Sequence, residues 1–326
     1  MKRTAQAGAA LLAAMLTVTL VATFAAAALW QQWRGVEVEA ADRTRVQSSW
    51  ILTGALDWAR LILREDRRTG SDHLGEPWAI PLQEARLSTF LAADQNNNAD
   101  TGDADNVFLS GEIIDLQSRL NLGNLVQSGT VQAEWLEITR RLFEALGLPP
   151  SQLARMAENL RFAADLAVDN RNASRAALMP QRLEQLVWLG LPPETVAALE
   201  PYVTLLPTTG QPGTVPTVNM NTASAQVLYA AIPGISLADA QRLVAERERK
   251  PFQALADAKA LLPEGAELAA NKVNVTTSFF EVRGRLRMAD VTIEERSVVQ
   301  RQGLEVRTLQ RERVPPSVAP PPTAPR

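Results

Sequence analysis

The 326-residue chain contains no cysteine, which excludes disulfides, thiolate metal sites and a cysteine nucleophile. Its single histidine, His73, would have to carry any Ser-His-Asp or histidine–zinc chemistry alone. No nucleophile elbow, phosphate-binding loop or HExxH motif occurs in the sequence. With 33 Lys and Arg against 36 Asp and Glu, the formal charge of -3 offers nucleic acid no global attraction.

What the chain does have is an uncharged, mostly apolar run from Ala9 to Trp30, directly behind Met1, Lys2 and Arg3. At about 1.5 Å per residue, a helix of this length spans the roughly 30 Å hydrocarbon core of a bilayer. Lys2 and Arg3 favour a cytoplasmic start, so the bulk of the chain is expected on the other side of the membrane. A secretory signal peptide shares the basic start, and Ala25–Ala28 offers small residues for cleavage, but its apolar core is usually only about 7–15 residues. Beyond the run, Ile51, Ala55, Trp58 and Ile62 keep helical spacing among charged neighbours, which predicts an amphipathic continuation over 31–68.

Residues 69–130 read as turns followed by a β-like run, Val107–Asp115. Between them, Asp94, Asn96, Asn98, Asp100 and Asp105 place oxygen side chains at loop positions 1, 3, 5, 7 and 12, a pattern suited to calcium. Ala99 stands where an EF-hand has glycine and Asp105 where it has glutamate, and an ordinary Asn/Asp turn competes with the metal reading.

From 131 to 275 the pattern is helical. Gly147, Gly190 and Gly234 recur at near-equal intervals, each followed at the same offsets by an apolar pair: Leu153 and Met156, Val196 and Leu199, Ala240 and Leu243. Three related helix–turn–helix units are expected. The third, Leu228–Val244, resembles a helix-hairpin-helix, whose DNA-binding versions hold a backbone phosphate on loop amides. Here Ser236 replaces a second glycine, and Glu246, Arg247, Glu248, Arg249 and Lys250 nearly cancel in charge, so packing is the preferred role.

In 276–313, Val282, Gly284, Leu286 and Met288 alternate with Arg283, Arg285 and Arg287, then Val291–Ile293 and a strand near Leu304–Leu309 follow. This predicts a half-buried antiparallel sheet. The last segment, 314–326, is proline-rich and expected to be disordered.

A basic leader (1–8) ending in Gly8, an apolar half-helix (9–30) and an amphipathic second half resemble the type IV pilin and type II secretion pseudopilin class. Four phrases, Gly75–Ala79, Gly111–Leu125, Leu199–Pro207 and Val218–Ala223, are similar to the minor pseudopilin K family of type II secretion. The resemblance implies an α+β fold: a pilin-like long N-terminal helix packed on an antiparallel sheet, with a large all-α insertion of helix-hairpin-helix or SAM-like type. It implies cleavage by prepilin peptidase behind Gly8 and methylation of Ala9. The fifth mature position, where most members carry a glutamate that pairs with a neighbouring subunit's amine, is Ala13, and the family member lacking that glutamate sits at the filament tip. Other minor pseudopilins, the major pseudopilin, the inner-membrane secretion platform and lipid are the implied partners, and nucleic acid is not expected among them. Calcium is implied as a structural ion, and a single-pass inner-membrane location with a periplasmic C-terminal domain.

A non-enzymatic assembly protein is therefore the leading reading. A membrane-anchored DNA-binding protein using the hairpin at Gly234, as in natural competence, is the alternative. A hydrolase built on His73 ranks third, since Asp72 and Glu76 beside it more simply suggest a solvated turn.

Overall fold

The computed structural model describes residues 9–67, 70–92, 106–165, 176–207, 215–288 and 291–315. Its contacts divide the chain into two compact units, one ending at Gly54 and one beginning at Ala55. Helix α1, Ala9–Asp66, is unbroken and supplies all the described structure of the first unit. Among the described residues it is the one helix long and apolar enough to cross a membrane. Its few polar side chains there are satisfied internally: Thr17, Thr19 and Thr23 hydroxyls donate to the carbonyls of Ala14, Leu16 and Leu20 at 2.8, 3.0 and 2.8 Å. A helix that bonds its own polar groups needs no water around it.

The second unit is a sheet interrupted by a helical lobe. The sheet begins with β1 (Leu82–Arg86), is followed by α2 (Leu87–Ala92), and continues with β2 (Val107–Asp115). The lobe then opens with three two-residue strands, β3 (Leu120–Asn121), β4 (Val126–Gln127) and β5 (Thr130–Val131). Helices α3 (Ala133–Ala145), α4 (Pro150–Ala164) and α5 (Pro193–Leu199) follow. After β6 (Val203–Thr204) and β7 (Val218–Asn219) come α6 (Ala225–Ala231), α7 (Leu237–Arg249), α8 (Leu255–Lys259) and β8 (Val273–Asn274). The chain re-enters the sheet through β9 (Phe279–Met288), β10 (Val291–Gln302) and β11 (Glu305–Val314).

The five long strands lie in the order β1-β2-β9-β10-β11, every neighbouring pair antiparallel. Alternation along β9 sends Phe280, Val282 and Leu286 inward, as the sequence pattern predicts. The end of α1 covers this face: Leu56, Ala59 and Leu63 pack with Trp78, Phe280 and Val299. The expected stripe through Ala55, Trp58 and Ile62 is displaced, since Trp58 remains 50% exposed. Two apolar stripes run side by side on this helix, about 100° apart, and periodicity alone does not choose between them.

The lobe starts earlier than the expected boundary at 130. Leu120, Leu122, Leu125 and Val126 are buried in the core shared by α3 to α8, not in the sheet. The predicted turn units have a clear local geometry: Gly147, Gly190 and Gly234 take positive φ of 66, 86 and 82°. Pro150 and Pro193 then open α4 and α5 at the position where a missing N–H costs nothing. Helix α6 is capped by Ser224, whose hydroxyl accepts from Val227 N, while Asn221 and Thr222 just before it are buried. The last strand is longer than expected, with Leu304 in the turn before it.

Candidate functional site

Ala9 is the first residue of α1, and both it and Ala13 present exposed side chains. Gly8 lies outside the described residues, as do Asp94, Asn96, Asn98, Asp100 and Asp105.

The hairpin at Gly234 is assembled as a packing element. A Cβ on Gly234 would approach Gly265 O to 2.8 Å, and Glu267 N donates to Pro233 O at 3.1 Å, so one side of the turn is closed by the chain after α8. Arg141 from α3 fixes the turn by donating to Ile232 O at 2.7 Å and Ile235 O at 3.3 Å. The start of α7 is capped by its own residues: Asp239 Oδ2 accepts from Ser236 N at 3.0 Å, and Ser236 Oγ accepts from Asp239 N at 3.2 Å. A carboxylate thus stands where a nucleic-acid phosphate would have to sit. Arg247, one of the cations near this turn, is buried and donates to Met220 O at 2.5 Å.

The densest polar arrangement lies where the lobe leaves and rejoins the sheet. Asp115, the last residue of β2, is buried, and each carboxylate oxygen has two donors. Oδ1 accepts from Gln117 N and Thr277 Oγ1, both at 2.7 Å. Oδ2 accepts from Asn219 Nδ2 at 2.9 Å and Thr222 Oγ1 at 2.6 Å. Burial pushes the Asp115 carboxyl above its ordinary range, and these hydrogen bonds pull it back.

Next to it, Arg301 at the inner end of β10 reaches three segments. It donates to Asp66 Oδ2 at 3.0 Å and Leu63 O at 3.2 Å in α1, to Thr277 O at 3.0 Å, and to Asp72 Oδ1. Its guanidinium also lies over the Phe280 ring, 4.9 Å from the centroid. Carboxylate oxygens of Asp66, Asp72 and Glu76 come within 4.8 Å of one another. The Arg301 guanidinium supplies the positive charge at Asp66 and Asp72, while Glu76 accepts from Trp78 Nε1 at 2.8 Å and His73 N at 2.9 Å.

His73 is thereby part of a turn, with its Nδ1 accepting from Gly75 N at 3.2 Å. A cleft of about 690 Å³ opens beside the junction, lined by amides and hydroxyls such as Gln117, Thr217, Asn274 and Ser278. Its described lining includes neither histidine nor carboxylate. The Asp66–Asp72–Arg301 cluster was not evident from the sequence, although a signal exists. Arg301 falls on the inward phase of β10, two residues after buried Val299, where a charge requires a buried partner.

Desolvation, reinforced by repulsion from Glu76, raises Asp66 from 3.8 to about 6 against the pull of Arg301. A folded-state value above the ordinary one means that Asp66 favours folding below 3.8, and that this contribution is lost as pH rises through about 6. Asp66→Asn should flatten the dependence of the urea midpoint on pH between those two values. An unchanged slope would show that Asp66 does not titrate in this window.

Comparison with known proteins gives a consistent result. Residues 118–208 match the family model "Type II secretion system (T2SS), protein K" for the first domain, and residues 218–278 match the general model of the same description. The chain is 28% identical to the type II secretion system protein K of Pseudomonas aeruginosa, over 95% of this chain and 90% of that protein. It is 26% identical to the protein of that name from Pectobacterium carotovorum, over 95% and 97%. Its fold is similar to a chain in the crystal structure of the GspK-GspI-GspJ complex from enterotoxigenic Escherichia coli, with a TM-score of 0.63 and 18% identity, covering 85% of this chain and 99% of that one. The second of these segments carries Asn219, Thr222 and Thr277, whose side chains hold the Asp115 carboxylate, and the chain is similar in sequence and fold to the type II secretion system protein K family.

Proposed function

We propose that this chain works without catalysis, as a structural subunit at the tip of a type II secretion pseudopilus, in the export of folded proteins across the outer membrane. The observation that carries the reading is α1: one unbroken helix, apolar at its start and built into the sheet core at its end. Such a helix can wait in the inner membrane and then exchange lipid contacts for contacts with neighbouring helices. The remainder of the chain would stand in the periplasm.

Tip placement is supported by two features. Ala13 offers no carboxylate to the amine of a neighbouring subunit. The lobe over 116–278 would crowd a subunit surrounded on all sides. The partners are then other minor pseudopilins, of the kind named in the GspK-GspI-GspJ complex, together with the major pseudopilin and the membrane platform. The lobe, read as a helix-hairpin-helix or SAM-like module, serves protein contact. Gold-labelled antibody against it should mark one end of isolated pseudopili; labelling along the shaft would sink the tip assignment.

Prepilin peptidase would release residues 1–8 and methylate Ala9. Mass spectrometry of the chain from native membranes should then find methyl-Ala9 at the N-terminus, whereas cleavage near Ala27 would make the run a signal peptide.

Calcium is assigned to Asp94, Asn96, Asn98, Asp100 and Asp105, whose alternating oxygen side chains suit a hard cation. Calorimetric titration should show a calcium-binding event that Asp94→Ala with Asp100→Ala abolishes. Equal binding by both proteins would move the ion elsewhere.

A further inference from the structure

The apolar run ends in a small cluster of unlike side chains. Trp30 and Trp33 close it, and Arg34 is the first charged residue after Arg3. At positions i, i+3 and i+4 the three share one face of α1. Both indoles are exposed, 63% and 57%, and they pack on each other with ring centroids 5.3 Å apart. Arg34 makes no ion pair among the described residues.

An indole is a large apolar ring with one N–H donor, which favours the glycerol and carbonyl level of a bilayer over either hydrocarbon or bulk water. A guanidinium one turn further on suits the negative phosphate just outside that level. The distance also fits, since the helix from Ala9 to Trp30 rises about 30 Å, the thickness of a hydrocarbon core.

We propose that Trp30, Trp33 and Arg34 form a phospholipid anchor that fixes the depth of α1 in the membrane, with the indoles at the lipid carbonyls and Arg34 on a lipid phosphate. The anchor rests on the membrane-spanning reading above and adds to it a defined boundary. Everything from Gly35 onward stands outside the lipid, and Trp50, twenty residues beyond Trp30 and so about 30 Å further along the helix, lies well clear of it.

The test uses the full chain reconstituted in phosphatidylcholine vesicles whose acyl chains carry bromine either near the carboxyl end or near the methyl end. Bromine quenches only nearby tryptophan. Vesicles brominated near the carboxyl end should quench the wild type more strongly than those brominated near the methyl end. Trp30→Phe with Trp33→Phe should abolish that excess, while Trp50→Phe should leave it intact.

Flotation of the chain with vesicles but no excess quenching, or an excess that survives the double substitution, would overturn the anchor alone and leave that face to a protein partner. Failure to float would remove the spanning reading, and the anchor with it.

Discussion

A buried guanidinium or carboxylate costs several kcal/mol of lost hydration unless every part of it meets a partner. The second unit is arranged around two places where that condition holds. Arg301 finds its partners on α1, on the segment at Asp72 and on the approach to β9. Asp115 finds its partners on Gln117, Asn219, Thr222 and Thr277. Segments far apart in sequence must be in place together for either group to be satisfied, and removal of one partner strands a charge. The two sites are also joined, because Thr277 donates its N–H to Asp72 and its hydroxyl to Asp115. Helix end, sheet and lobe are therefore one cooperative assembly.

This constraint also explains how a sheet accommodates so large an interruption. In the β2–β9 ladder Asp115 lies opposite Phe280, so the lobe leaves and returns at neighbouring points. The entropy of closing a loop grows only with the logarithm of its length, so residues 116–278 cost little more to span than a much shorter connection. The lobe offsets that cost with its own core. Its exit is pinned by Gln117, which donates to Thr217 O at 2.7 Å and accepts from Ser278 N at 2.7 Å. One amide thus ties both ends of the insertion and its middle.

Much of this was legible in the sequence because it depends on local rules. The apolar run, the alternation along β9 and the positive-φ glycines each follow from residues a few positions apart. The phrases around Asp115 and Asn219 could be recognised as family-like, but their purpose could not. Their asparagines, aspartate and threonines satisfy one another across more than a hundred residues of chain, and no periodicity encodes that. The phase of α1 was misread for a related reason. Trp58 is as apolar as Leu56, and only the shape of the sheet, with Phe280 and Val299 presented inward, decides which of them is covered. The lobe's early start escaped because Leu116, Leu120 and Leu122 are interleaved with Gln117, Arg119 and Asn121, an alternation that reads as more strand.

The first part of α1 faces a different demand, since on the reading proposed here the same surface must suit lipid first and protein later. Hydrocarbon and an apolar helix bundle are nearly equivalent solvents for a side chain, so transfer between them is decided by packing and not by hydrophobicity. The run is rich in alanine, including Ala9, Ala10, Ala13 and Ala14, which lets neighbouring backbones approach closely. An ionised carboxylate at position 13 would oppose residence in the membrane, where an acidic side chain such as Asp costs about 2.5–3.5 kcal/mol at mid-helix and somewhat less near the ends. That cost is offset only where a neighbour's amine arrives to pair with it. A subunit that receives no such neighbour would bear the cost without the gain. Alanine at position 13 is therefore the chemically consistent choice for a chain with no subunit beyond it.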